Sequence, residues 1–366
     1  MKKKISPDRI VNAVKENFKG ILSKPLLKNL ILVTLAIALT DKLKINEIAR
    51  KLPLNVKHQK SKQNRFLRYL DKPFPILDMM FSWTKFVLQK LYENTEKDII
   101  ILIDKVGLIH GYKAFVSAIP FRKRAIPIAF KIYTDQQIDD MVYRSENEII
   151  WNFIDFVHES IKRVFPDKRE IFVFDRGFAD EKLIRYLELM GVHYVMRVPK
   201  NSGISTMGYR GKLSEFGHCG YFRDVSYHLT KQIKTNLLCK MNDIKPEDPI
   251  FIISDIEEIP DLIYRKRMDI EEGFRDLKTL FGFKQLVLKK LVQERIEILL
   301  LLVIISMGLL FLLFEKSGYR WSKYYNTSCR KEFSLIHVIK DKIRDSWIGL
   351  CINPFFSLHS AVFYRV

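Results

Sequence analysis

Two short apolar runs, each stopping at an aspartate, constrain this chain more than anything else in it. Ile99 to Ile103 contains no polar residue and meets Asp104, and Ile171 to Phe174 in the same way meets Asp175. Such runs, bounded by polar residues, are the pattern of strands buried on both faces, which calls for helices on either side of a largely parallel sheet. In an open sheet of that kind, ligands gather in the crevice beyond the carboxyl ends of the strands. The surrounding texture agrees. Tyr112–Pro120 and Ala125–Tyr133 read as two strands joined by the turn Phe121-Arg122-Lys123-Arg124. A long amphipathic helix is expected over Asp140 to Phe165, a second over Asp180–Met190, and a further strand over His193–Val198.

A third acidic group comes from a different kind of segment. Tyr264, Arg267, Glu271 and Lys278 lie in a stretch without proline that begins after Pro260 and reads as one helix. At about 100° per residue these four fall within roughly 60° of one another, with Arg275 beside them and Glu272 about 100° away. One carboxylate, Glu271, therefore sits in a line of cations and a phenol. Alone, such a stripe is an ordinary solvated face with i,i+4 pairs. A strand-terminal Asp alone is likewise an ordinary cap.

Together the three acids make a stronger case. Two strand-end carboxylates and one from a helix can hold two divalent ions about 4 Å apart. Oxygen ligands and net negative charge favour Mg²⁺, with Mn²⁺ able to substitute. Such a site activates a water or a 3′-hydroxyl for attack on phosphorus and stabilises the departing 3′-oxygen. No serine or cysteine nucleophile motif competes with it. In the order strands, helix, strand, helix, strand, residues 98–198 read as a ribonuclease-H-like sheet.

Charge points to the same class of substrate. The chain has 366 residues, 62 basic and 42 acidic, for a net charge of +20. Residues 1–70 hold 17 Lys and Arg against 4 Asp and Glu, so +13 of the excess lies there. A basic segment beside a more balanced body suits a nucleic-acid-binding module attached to a second function. Lys44 to Leu52 reads as a short amphipathic helix ended by Pro53. A basic helix, Lys57 to Leu70, follows the loop Leu54-Asn55-Val56. That arrangement resembles a helix-turn-helix, with Gln59, Lys60, Lys62, Asn64, Arg65 and Arg68 able to reach base edges and phosphates. A plain basic helical bundle reads equally well.

Cys219, Cys239, Cys329 and Cys351 are few and far apart, which fits a reducing cytoplasm. The spacing of His218, Cys219, His228 and Cys239 matches no common zinc pattern. Ile298 to Phe314 is a 17-residue run broken only by Ser306 and Gly308, at the lower limit of a membrane span. It continues from a charged helix, and a helix buried in a large domain is apolar all round in the same way, so a buried helix and no membrane partner are expected.

With these blocks in hand, the chain resembles a bacterial insertion-sequence DDE transposase of the cut-and-paste IS-four family. That family is defined by the signature Y-(2)-R-(3)-E-(6)-K, which Tyr264, Arg267, Glu271 and Lys278 fit at every spacing. Phe174-Asp175-Arg176-Gly177-Phe178 is similar to its Asp-Arg-Gly-Phe block, with Tyr194–Arg197 downstream, and Asp104 stands where its first catalytic Asp does. The resemblance covers about residues 40 to 315. It implies a metal-binding triad of Asp104, Asp175 and Glu271, and phosphate contacts from Tyr264, Arg267 and Lys278, with Arg275 and Arg176 as further DNA contacts. It implies cleavage at terminal inverted repeats, transfer of the 3′-OH strands to target DNA, and a homodimer in the synaptic complex. A catalytically inert, DNA-binding descendant is the alternative. The expected layout is a helical DNA-binding domain over 1–75, the first part of the core over 76–200, and a β-rich insertion over 201–260. The core is completed over 261–316, and a C-terminal region over 317–366 is assigned to dimerisation. Two departures stand out. Met268 replaces a common Trp, with an effect expected on packing only. Lys105-Val106 replaces a small polar pair, placing a cation that either reaches DNA or weakens metal binding.

Overall fold

Residues 7–40, 43–52, 54, 56, 58–122, 124–206, 208–241, 248–275 and 292–315 are described by the computed structural model. The chain divides at Phe86/Val87 and again at Phe274/Arg275. The described residues before the first division are helical: α1 (Pro7–Phe18), α2 (Lys24–Leu39), α3 (Ile45–Lys51) and α4 (Gln59–Leu70), with α5 (Ile76–Tyr92) carrying the chain across the division. In α2 every residue from Leu30 to Leu39 is buried, Thr34 included. Such a helix needs apolar neighbours on all sides.

Residues between the two divisions build a ten-stranded sheet. Its first strands are β1 (Ile99–Gly107), β2 (Lys113–Phe121), β3 (Arg124–Tyr133), β4 (Glu170–Phe174) and β5 (His193–Arg197). They lie in the order β3-β2-β1-β4-β5. The β1–β2 and β2–β3 pairs are antiparallel, while β1–β4 and β4–β5 are parallel. This mixed sheet is consistent with the ribonuclease-H-like expectation. All five residues of β4 are buried, as a central parallel strand requires. Phe172→Ala removes a fully buried ring stacked on Phe174 and is expected to cost about 3–5 kcal/mol, measurable by denaturant unfolding.

Three helices connect these strands: α6 (Asp135–Asp139), α7 (Glu146–Val164) and α8 (Glu181–Met190). The single helix expected over Asp140 to Phe165 starts later than its apolar periodicity suggests. Ser145 fixes the start by accepting a hydrogen bond from the Glu148 backbone N–H, and Met141 before it holds a left-handed φ of 58°. Asp180 caps α8, and Gly191 ends it at φ 66°, a conformation that costs glycine nothing.

The expected β-rich insertion does not form a sheet of its own. Its strands are β6 (Gly203–Thr206), β7 (Tyr209–Lys212), β8 (Gly220–Tyr227), β9 (Ile233–Lys240) and β10 (Ile250–Ser254), and they extend the core sheet in the order β5-β10-β9-β8-β6-β7. The join is the antiparallel pairing of β10 with β5, from Ile252↔Arg197 to Ser254↔Val195.

The charged stretch after Pro260 is two helices, α9 (Asp261–Arg265) and α10 (Arg267–Arg275), broken at Lys266. The apolar run lies in α11 (Gln293–Glu315), which groups with the N-terminal helices, whereas the sequence had assigned residues 261–316 to the core. A helix without a polar face packs wherever another apolar helix offers surface, and α2 does so: Ser306 Oγ donates to Leu302 O of its own helix and reaches Thr34 O of α2. By length and composition α11 could cross a membrane, yet 94% of its most apolar window is buried inside the protein.

Candidate active site

The sheet register sets the site. Parallel pairing of β1 with β4 runs from Ile99↔Glu170 to Leu102↔Val173. Asp104 and Asp175 are each two residues past that last pair, so they stand level, on adjacent segments about 4.8 Å apart. Asp175 is the first residue after β4, as expected. Asp104 is not a strand end: β1 continues to Gly107, because its other edge pairs with β2 from Leu102↔Ala118 to Gly107↔Lys113. The strand outlasts its parallel neighbour, and Asp104 lies where the two part. Both aspartates line one cavity of about 450 Å³.

Glu271 joins them through an arginine. Arg267, the first residue of α10, is 8% exposed. Its Nη2 is 3.1 Å from Asp175 Oδ2, and its Nη1 donates to Glu271 Oε1 at 2.5 Å. Burial works against the guanidinium charge. The Glu271 hydrogen bond and the charges of Asp175, Tyr264 and Asp104 outweigh it and hold the pKa above its ordinary value. Arg267 Nε is buried without a hydrogen-bond partner. Tyr264, at the end of α9, is pushed up to about 12, mainly by burial and also by Asp175, with Arg267 and Arg197 opposing. Its hydroxyl is therefore a neutral donor at physiological pH.

Arg176 is exposed in the short turn after Asp175, and with Arg197 and Lys200 it lines a second hollow of about 250 Å³. Lys278 and the side chain of Arg275 lie outside the described residues. Met268 is 58% exposed, so the packing effect expected of it has little surface to act on.

The cavity contains residues that the sequence reading missed. Glu146 opens α7 and lines it, as do Lys113, Asn147 and Asp180. Asn147 Nδ2 donates to Asp180 Oδ2 at 2.7 Å. Burial pushes the Glu146 carboxyl up, but hydrogen bonds from Lys105 and Tyr133 and the charges of Lys105 and Lys113 leave it below its ordinary value. The Ser145-Glu146-Asn147-Glu148 spacing carries the signal that would have located this helix start.

On the basic helix α4, Lys60, Asn64 and Arg68 are exposed at i, i+4, i+8 and so share a face. Other candidates on that helix make bonds within the protein. Gln59 Nε2 donates to Asn46 O at 3.2 Å and Lys62 Nζ to Leu52 O at 3.2 Å, while Arg65 donates twice to Asn29 Oδ1 at 3.1 and 3.3 Å.

Residues 146–307 match the family model of the transposase DDE domain. The match supports a DDE transposase, and with it a DNA-cutting enzyme of a class that generally uses divalent metals. It spans Asp175 and Glu271 and begins after Asp104. No curated protein matches the chain. The donor chemistry suits a hard divalent cation, since all three candidate ligands are carboxylates. Among the described residues, though, no three His, Cys, Asp or Glu side chains are grouped so as to hold one ion. Arg267 stands between Asp175 and Glu271 instead.

Proposed function

We propose that this protein is a DNA transposase of the IS-four type, which binds the terminal inverted repeats of its element, cleaves at the ends and transfers the 3′-OH strands to target DNA. The observation that carries the reading is the level placement of Asp104 and Asp175 over one cavity, with Arg267 linking Asp175 to Glu271. Asp104, Asp175 and Glu271 would hold two Mg²⁺ ions, with Mn²⁺ able to substitute. Bound there, the cations supply activation of the attacking oxygen and stabilisation of the departing one.

The chain's own residues do the rest. Arg267 sets the distance between Asp175 and Glu271, and it turns to a phosphate of the cleaved end when DNA arrives. Tyr264 donates its hydroxyl to a phosphate oxygen. Arg176, Arg275 and Lys278 neutralise neighbouring phosphates, each exchange releasing counterions. Lys60, Asn64 and Arg68 read the inverted repeat from the open face of α4, where Gln59 reaches its edge. Lys62 and Arg65 support that face by tying α4 to α3 and α2. Residues 317–366, outside the described residues, are assigned to pairing two copies in the synaptic complex.

A supercoiled plasmid carrying the DNA that flanks the reading frame tests the proposal. The protein is expected to nick it at the element's ends in Mg²⁺ and to leave it intact when the metal is removed with EDTA. Tight binding to those ends without metal-dependent cleavage would overturn the enzyme reading in favour of an inert DNA-binding descendant.

A further inference from the structure

The residue after Asp104 is a lysine, and an ammonium that close to a metal-binding carboxylate competes with the metal for the same negative charge. Lys105 and Asp104 line the same cavity, and the Lys105 backbone N–H donates to Asp104 Oδ1 at 2.8 Å. The ammonium itself is elsewhere: Lys105 Nζ is 2.5 Å from Glu146 Oε1. Glu146 is fixed for that task. It follows the N-cap Ser145 at the start of α7 and accepts a short hydrogen bond from the hydroxyl of Tyr133, a fully buried ring stacked on Phe115 at 5.1 Å. Lys113, the other lysine of the cavity, is held by Asp135, with Nζ 2.6 and 2.8 Å from its two oxygens. Each lysine facing the cavity thus has its own carboxylate, and neither of those carboxylates belongs to the triad.

We infer that Glu146, anchored by Tyr133, is a positioning residue that holds the Lys105 ammonium off Asp104 and so keeps Asp104 available to a divalent cation. The inference rests on the reading of Asp104 as a metal ligand. It concerns a lysine specific to this chain, and it resolves the two consequences open for that lysine: the cation neither reaches DNA nor weakens metal binding while Glu146 retains it.

The test is Mn²⁺ binding to the full chain without DNA, followed by the electron paramagnetic resonance signal of the free ion. Glu146→Gln is expected to weaken binding about tenfold, the scale on which outer partners of metal ligands act. Lys105→Ala is expected to bind at least as tightly as wild type, and the double variant to return to within about twofold of Lys105→Ala. A merely structural role for Glu146 would not be rescued by deleting Lys105. If Glu146→Gln does not fold, Tyr133→Phe gives the same comparison, with a smaller weakening that Lys105→Ala again erases. Unchanged binding in the first variant, or a double variant as weak as Glu146→Gln, overturns the inference alone. Wild-type protein that binds no Mn²⁺, or binds it as well after Asp104→Asn, overturns the metal reading and this inference with it.

Discussion

Glu271→Ala is expected to leave the protein folded while lowering cleavage at the element's ends by roughly a thousandfold or more, the scale for removing one member of a catalytic unit. The two halves of that expectation have separate causes. Glu271 is 47% exposed on α10, and its ion pair is with Arg267, which keeps its second partner, Asp175. Loss of one half-exposed carboxylate therefore shifts the melting temperature by little. Cleavage depends on a different property, the third carboxylate facing Asp104 and Asp175, and neither of these can replace it from its own strand. Nicking rates and thermal unfolding on the same preparations separate the two. A variant that folds and cleaves as fast as wild type would remove Glu271 from the site, and with it the significance of the Tyr264-Arg267-Glu271-Lys278 spacing.

The aspartates were legible because burial on both faces leaves a local mark. Ile99–Ile103 and Ile171–Phe174 can be recognised residue by residue. Where β1 ends was not legible. Lys105-Val106-Gly107 has no apolar continuity, and those residues are in strand only because β2 continues to offer partners after β4 has stopped. The joining of the 201–260 strands to the core sheet was hidden for the same reason. It depends on Ser254 meeting Val195 across a long separation in sequence, which no window around either residue contains. The break at Lys266 has a third origin. Arg265, Lys266 and Arg267 are all good helix formers. What distinguishes Arg267 is tertiary: it is buried against Asp175. Glu146 was missed because the apolar periodicity of α7 invited an earlier start than its Ser145 cap allows. On α4, composition named the polar residues correctly. It could not separate Lys60, Asn64 and Arg68, which face outward, from Lys62 and Arg65, which are bonded to the neighbouring helices.

Arg267→Met is expected to reverse the relation between metal and stability. The substitution keeps most of the buried stem and deletes the guanidinium, so packing changes little. In wild type the guanidinium balances two carboxylates but gives up its own hydration, and its Nε has no hydrogen-bond partner, so its net contribution is modest. Asp175 and Glu271, at 32% and 47% exposed, can rehydrate in its absence. A loss of about 1 kcal/mol is expected without divalent cations, well below the cost of stranding a fully buried charge. With Mg²⁺ the order changes. A cation that must displace Arg267 in wild type meets unpaired carboxylates in the variant, binds more tightly, and raises its melting temperature more than that of wild type. Cleavage nonetheless falls by about a hundredfold, because no group remains to fix Glu271 relative to Asp175 or to receive the phosphate. Thermal unfolding of both proteins across a Mg²⁺ series reads the effect. If Mg²⁺ stabilises Arg267→Met less than wild type, Arg267 is not the internal counter-cation of these carboxylates but part of what gathers them for the metal.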